Sequence, residues 1–106
     1  MATSIEYLNS VLERISDIDG IAYRKMMGEY IIYFRDKVAG GIYDNRFLVK
    51  PVSAAKRLMP DAELEIPYSG AKEMLRVDDN MSTDSLRFML NSMYDELPEL
   101  KRRKKK

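Results

Sequence analysis

The 106-residue sequence contains no cysteine and no histidine, and only five glycines and four prolines. Lack of cysteine excludes disulfides, thiolate nucleophiles and cysteine zinc sites. Lack of histidine excludes an imidazole base, a histidine-dependent serine triad, a histidine metal site and a histidine pH switch. Any catalysis would rest on carboxylates, lysine, tyrosine or serine. The only adjacent glycines are Gly40-Gly41, so neither the dinucleotide fingerprint nor the phosphate-loop motif occurs and no cofactor is expected. No apolar run approaches the roughly 18 residues of a membrane helix, so no membrane span is expected. The start, Met1-Ala2-Thr3-Ser4, lacks the basic and apolar regions of an export signal and the glycine needed for myristoylation, which makes the cytoplasm the expected location.

What is present suits one domain with a core of its own: 45% of residues are apolar and 33% charged. A chain of this length buries about two thirds of its unfolded surface, enough to fold without covalent staples. The formal charge of +1 conceals a division. The last six residues, Lys101, Arg102, Arg103, Lys104, Lys105 and Lys106, are all basic, which leaves residues 1–100 with 12 basic and 17 acidic side chains. Residues 99–106 are expected to form a disordered basic tail with weak, nonspecific affinity for nucleic acid, and 1–98 the folded domain.

Thr3-Ser4-Ile5-Glu6 has the capping-box pattern, and Ile5, Leu8, Leu12 and Ile15 recur at helical spacing behind it. From Ile21 the period changes. Turn-forming pairs at Gly28-Glu29, Asp36-Lys37 and Asp44-Asn45 separate segments rich in β-branched and aromatic residues, which predicts a four-stranded antiparallel meander. Gly40-Gly41 inside the third strand signals a bulge or a close approach, a helix packed on the sheet being the simplest source. Pro51 and Pro60 bound a short helix capped at Ser53, and Met74–Val77 reads as a further strand. Between them Leu64, Ile66 and Tyr68 alternate, with Pro67 confining that stretch to an edge or loop. Ser82 caps a last helix whose stripe is Leu86, Met89, Leu90, Met93 and Leu97. The expectation is an α+β two-layer sandwich in the order α-β(3-4)-α-β(1-2)-α.

Candidate chemistry is sparse. Asp17-Ile18-Asp19 opens like a calcium loop but lacks the later ligands, and Asp78-Asp79 reads as a solvated loop. The spacing Ser-x-x-Lys occurs at Ser53/Lys56 and Ser69/Lys72 without its companion motifs. Arg24, Arg35, Arg46 and Lys50, with Tyr23, Tyr30, Tyr33 and Tyr43 nearby, outline a sheet face able to stack bases and hold phosphates. Met26-Met27 beside Gly28 suggests a flexible contact surface, whereas Met74, Met89 and Met93 suit a core. Tyr30–Phe34 is apolar on both alternating sets, so its second face is expected to meet another surface, a homodimer being the simplest arrangement.

The run Arg24-Lys25-Met26-Met27-Gly28-Glu29-Tyr30, then Lys37-Val38, Ile42 and Phe47-Leu48-Val49-Lys50, resembles the N-terminal domain of the TfoX/Sxy bacterial competence regulators. Arg24, Met26, Gly28, Lys37, Leu48 and Lys50 match that family's R-x-M-F-G-G segment, its G-K strand start and its L-x-L-K strand end, and Tyr30 closes the first segment. Met27 stands in place of the usual Phe and Glu29 in place of the second Gly. The resemblance spans roughly residues 4–97, and the helical C-terminal domain of those regulators has no counterpart after Pro98. It implies a two-layer α/β domain and a non-enzymatic regulatory role through a protein partner, with transcription machinery the implied partner class. The alternative drawn from the residues alone is a nucleic-acid-associated protein that uses the tail and the basic strands.

Overall fold

Ser4, not Thr3, caps the first helix in the computed structural model, which describes residues 3–98: its Oγ accepts the Tyr7 N–H at 3.1 Å. Helix α1 (Ile5–Ile15) buries Leu8, Val11 and Ile15 along one stripe. Thr3 serves elsewhere. Only 7% exposed, it donates its hydroxyl to Glu29 Oε1 at 2.7 Å and its N–H to the Gly28 carbonyl at 3.2 Å, while its Oγ1 accepts the Asn45 N–H at 3.3 Å. The start of the chain is thereby stitched to two turns at one end of the sheet, and the capping-box reading of Thr3 and Glu6 gives way to a single-residue cap.

The meander is present as β1 (Ile21–Met26), β2 (Glu29–Phe34), β3 (Lys37–Ile42) and β4 (Phe47–Val49), each antiparallel to the next. Its turns are Met27-Gly28, Arg35-Asp36 and Asp44-Asn45, and in every one both central residues have positive φ. Two-residue turns of that kind match the right-handed twist of their strands, which favours them despite the strain on non-glycine residues. The first two therefore lie one residue earlier than the composition of the segments suggested. A bulge absorbs the difference: Ile32 faces Gly40 and Tyr33 faces Val38, so Ala39 is the extra residue on β3. The close approach at the glycine pair comes from strands, not from a helix. A Cβ on Gly40 would overlap the Leu48 carbonyl oxygen, and one on Gly41 would stand 2.6 Å from both the Tyr30 carbonyl oxygen and the Tyr43 ring.

Helix α2 (Ser53–Leu58) follows Pro51, then β5 (Leu64–Glu65), β6 (Met74–Arg76), α3 (Thr83–Met93) and a 3-10 turn (Tyr94–Glu96). Ser53 is the first helical residue of α2 and not its cap. The Glu96 carboxylate, arriving from the far end of the chain, accepts the Ala54 N–H at 2.8 Å. The sheet order is β1-β2-β3-β4-β6-β5, so the α+β sandwich expected from the sequence is borne out, with β5 the short edge that Pro67 allows. Tyr30, Ile32 and Phe34 alternate toward the helices and pack with Phe47, Val49, Leu86, Met89, Leu90 and Met93. Burying such side chains contributes about 1.5–3 kcal/mol each before entropy is counted. No helix of the described residues is long and apolar enough to cross a membrane. The tail 99–106, with its expected disorder and the nucleic-acid contacts of its basic run 101–106, lies outside the described residues.

Candidate interaction surface

The positions singled out by the sequence do not gather into one site. Arg24 and Met26 are exposed on β1, and Gly28 takes φ +85° in the first turn. Tyr30 turns inward, 5% exposed, with its ring 6.1 Å from that of Tyr23. Lys37 donates to the Tyr94 carbonyl at 3.0 Å and stands 4.1 Å above the Tyr94 ring, which anchors the turn after α3 to β3. Leu48 is fully buried, and Lys50 borders a cavity on the sheet face that carries Ile31 and Val38. Of the basic residues grouped with the strands by the sequence, Arg35 falls in the second turn and lies over Phe34 and Tyr94, and Arg46, just before β4, is committed to the chain itself. Ser53, Lys56, Ser69 and Lys72 are exposed. Asp79 accepts the Tyr7 hydroxyl at 3.1 Å, and among the described residues no three or more acidic groups are placed to hold a metal ion.

The exposed part of the resemblance segment is β1 with the turn beyond it. Five of its six residues are exposed on both faces, and β1 is the outer strand of the sheet. The turn beyond it presents Met27 at 96% exposure. In an antiparallel ladder closed by a two-residue turn, the closing pair exchanges hydrogen bonds and alternate residues follow suit. With Met26 opposite Glu29, Arg24 opposite Ile31 and Ala22 opposite Tyr33, the N–H and C=O groups of Tyr23 and Lys25 point away from β2.

On the other sheet face the chain supplies part of the covering that the two apolar sets of β2 anticipated. The segment 66–73 returns over Ile31 and Val38, Pro67 is buried, and the Tyr43 and Tyr68 rings meet at 5.9 Å. Arg46 holds this segment at its base. It donates to Glu65 Oε1 at 2.8 Å, to the Ile66 carbonyl at 3.3 Å and to the Pro67 carbonyl at 3.3 Å. The hydrogen bond from Arg46 holds the Glu65 carboxyl below its ordinary value of 4.5, partial burial opposes it, and Arg76 at 3.5 Å adds to the lowering. A carboxyl depressed on folding stabilises the fold above its unfolded pKa, and that contribution is lost as pH falls through the folded value. Glu65→Gln is accordingly expected to lower stability at pH 7 and to flatten the loss of stability below about pH 4, measured by urea denaturation across pH. Equal pH slopes in the two proteins would contradict the assignment.

The arrangement defines a small α+β protein with an open strand edge. Over 79 residues, 74% of this chain and 69% of the relative, it is 35% identical to the uncharacterized 12.7 kDa protein in the trpE 5' region of Spirochaeta aurantia. The chain belongs to the same family as that protein. No family model matches the sequence, and no solved structure matches it.

Proposed function

We propose that the chain is a non-enzymatic, cytoplasmic interaction module of the competence-regulator type, and that it docks protein through the open edge of β1. The observation that carries the reading is that edge: an outer strand with five exposed side chains, on both faces, and with the N–H and C=O groups of Tyr23 and Lys25 turned away from β2. Unpaired N–H and C=O groups are a template for a further strand. The resemblance segment from Arg24 to Tyr30 spans β1 and its turn, which supports the same surface.

A second copy of the chain is the partner whose register can be written down. Antiparallel pairing about Tyr23 places Tyr23 opposite its own copy, Arg24 opposite Ala22 and Lys25 opposite Ile21. No two cations then stand directly opposed, which an Arg24-centred register would impose. In this register the outward groups of Tyr23 and Lys25 are the ones that bond.

Lys25→Pro removes an outward N–H that β2 does not use, and proline is tolerated on an edge in that position. Light scattering over a concentration series is expected to show a dimer for the native chain and a monomer for Lys25→Pro, with unchanged circular dichroism. A native chain that stays monomeric at millimolar concentration would overturn the self-pairing. A dimer unaffected by Lys25→Pro would move the interface away from β1.

A further inference from the structure

The cavity beneath the 66–73 segment differs in character from the β1 edge. Its volume is about 790 Å³, within the range of small-molecule sites. Its floor is apolar, formed by Ile31 and Val38, and one wall carries the paired rings of Tyr43 and Tyr68. Gly41 makes that wall possible, because a side chain there would collide with the Tyr43 ring. Three lysines line the same cavity from three elements: Lys50 after β4, Lys56 on α2 and Lys72 on the covering segment. Within the described residues none of them forms an ion pair, and Glu73 is the one carboxylate in the lining. Three unneutralised ammonium groups against one carboxylate leave a net positive concavity in a domain whose described part is acidic overall.

We infer that this cavity binds a small organic anion that carries a planar ring. The ring lies against Tyr43 and Tyr68 over the floor of Ile31 and Val38, and the lysines take the anionic group. Neither part suffices alone. Ammonium groups without the rings would gather any anion weakly and unselectively, and a ring-bearing ligand without the anionic group would cover the lysines and give them no partner. Phosphate monoesters of a nucleoside and of a simple phenol share this chemistry.

The test titrates the full chain, labelled with nitrogen-15, with four probes: AMP, phenyl phosphate, adenosine and inorganic phosphate. At least one of the two ring-bearing phosphates is expected to shift the amides of Gly40, Gly70, Ala71 and Lys72 saturably. Adenosine and inorganic phosphate are expected to bind at least tenfold more weakly. A preference for AMP over phenyl phosphate identifies a nucleotide site, and the reverse identifies an aryl anion site. Lys72→Glu and Tyr68→Ala change exposed side chains and are each expected to weaken binding about tenfold while preserving the spectrum of the free protein. Lys25→Pro is expected to leave binding unchanged, so failure of the β1 reading does not touch this one. No saturable shift with either ring-bearing phosphate would overturn the inference, as would equal binding of inorganic phosphate or shifts confined to residues outside the cavity.

Discussion

Gly40→Ala is expected to cost about 3 kcal/mol or more, the upper end of overpacking effects, and to leave little folded protein at 37 °C. The added Cβ would overlap the Leu48 carbonyl oxygen and lie 2.7 Å from Val49 Cα, and both are backbone atoms. They cannot swing aside like the end of a flexible side chain. Phe47, Leu48 and Val49 are held at 0–1% exposure, and β4 is paired on both sides, to β3 and β6. Gly70→Ala provides the comparison. Nothing lies within 4 Å of a Cβ there, so the cost reduces to its φ of +87°, about 1–2 kcal/mol. Urea denaturation of the two variants measures the difference. A Gly40→Ala protein as stable as Gly70→Ala would mean that β3 and β4 can separate without loss.

Phe34→Ala should remove about 3–5 kcal/mol, a large share of the roughly 5–15 kcal/mol available to a domain of this size. Phe34 is fully buried at the end of β2, and its ring meets Tyr94 edge-on at 5.9 Å beneath the Arg35 guanidinium at 4.9 Å. Truncation would leave a cavity between the sheet and the turn after α3, with Tyr94 and Arg35 deprived of their common contact. Phe88, the same residue type on α3, is 62% exposed. Its replacement by alanine should change stability by no more than about 0.5 kcal/mol. Thermal melts of the pair would show a large drop for Phe34→Ala alone. Similar melting temperatures would place the principal core elsewhere.

Local patterns made much of the architecture legible. Leu8 and Ile15, and later Leu86, Met89, Leu90 and Met93, mark their buried stripes through periodicity alone, because a helix repeats its faces every 3.6 residues, but the same spacing puts Ile5 on the first stripe, where its side chain is 59% exposed. The four meander strands follow from β-branched runs between short polar breaks. The frame of the breaks was harder to read. Gly28 draws the eye to Gly28-Glu29, but the twist of the hairpin selects Met27-Gly28, and Met27 carries no mark of a positive φ. The resemblance segment identified residues of several kinds, and chain position could not separate exposed Arg24 and Met26 from inward Tyr30 and Leu48 until the sheet had two different faces.

The remaining features depend on residues far apart in the chain. Thr3 meets Glu29 and Asn45, Glu96 caps α2 through Ala54, and Arg46 grips a loop some twenty residues on. Each of these satisfies a buried or partly buried polar group, and any of many acidic, amide or hydroxyl residues could have done so; the sequence carries no short-range sign of which one folding will bring there. The same holds for Lys50, Lys56 and Lys72, which the sequence presents apart, Lys50 among the basic residues of the strands and the other two in separate Ser-x-x-Lys spacings, and which share a cavity only once the chain has folded. By itself the sequence determined helix stripes, strand alternation and the excluded chemistries, since periodicity and residue type act within a few positions. Only the tertiary structure decided which strand edge stays open and which lysines share a cavity, because both depend on how the chain's distant segments pack over the sheet.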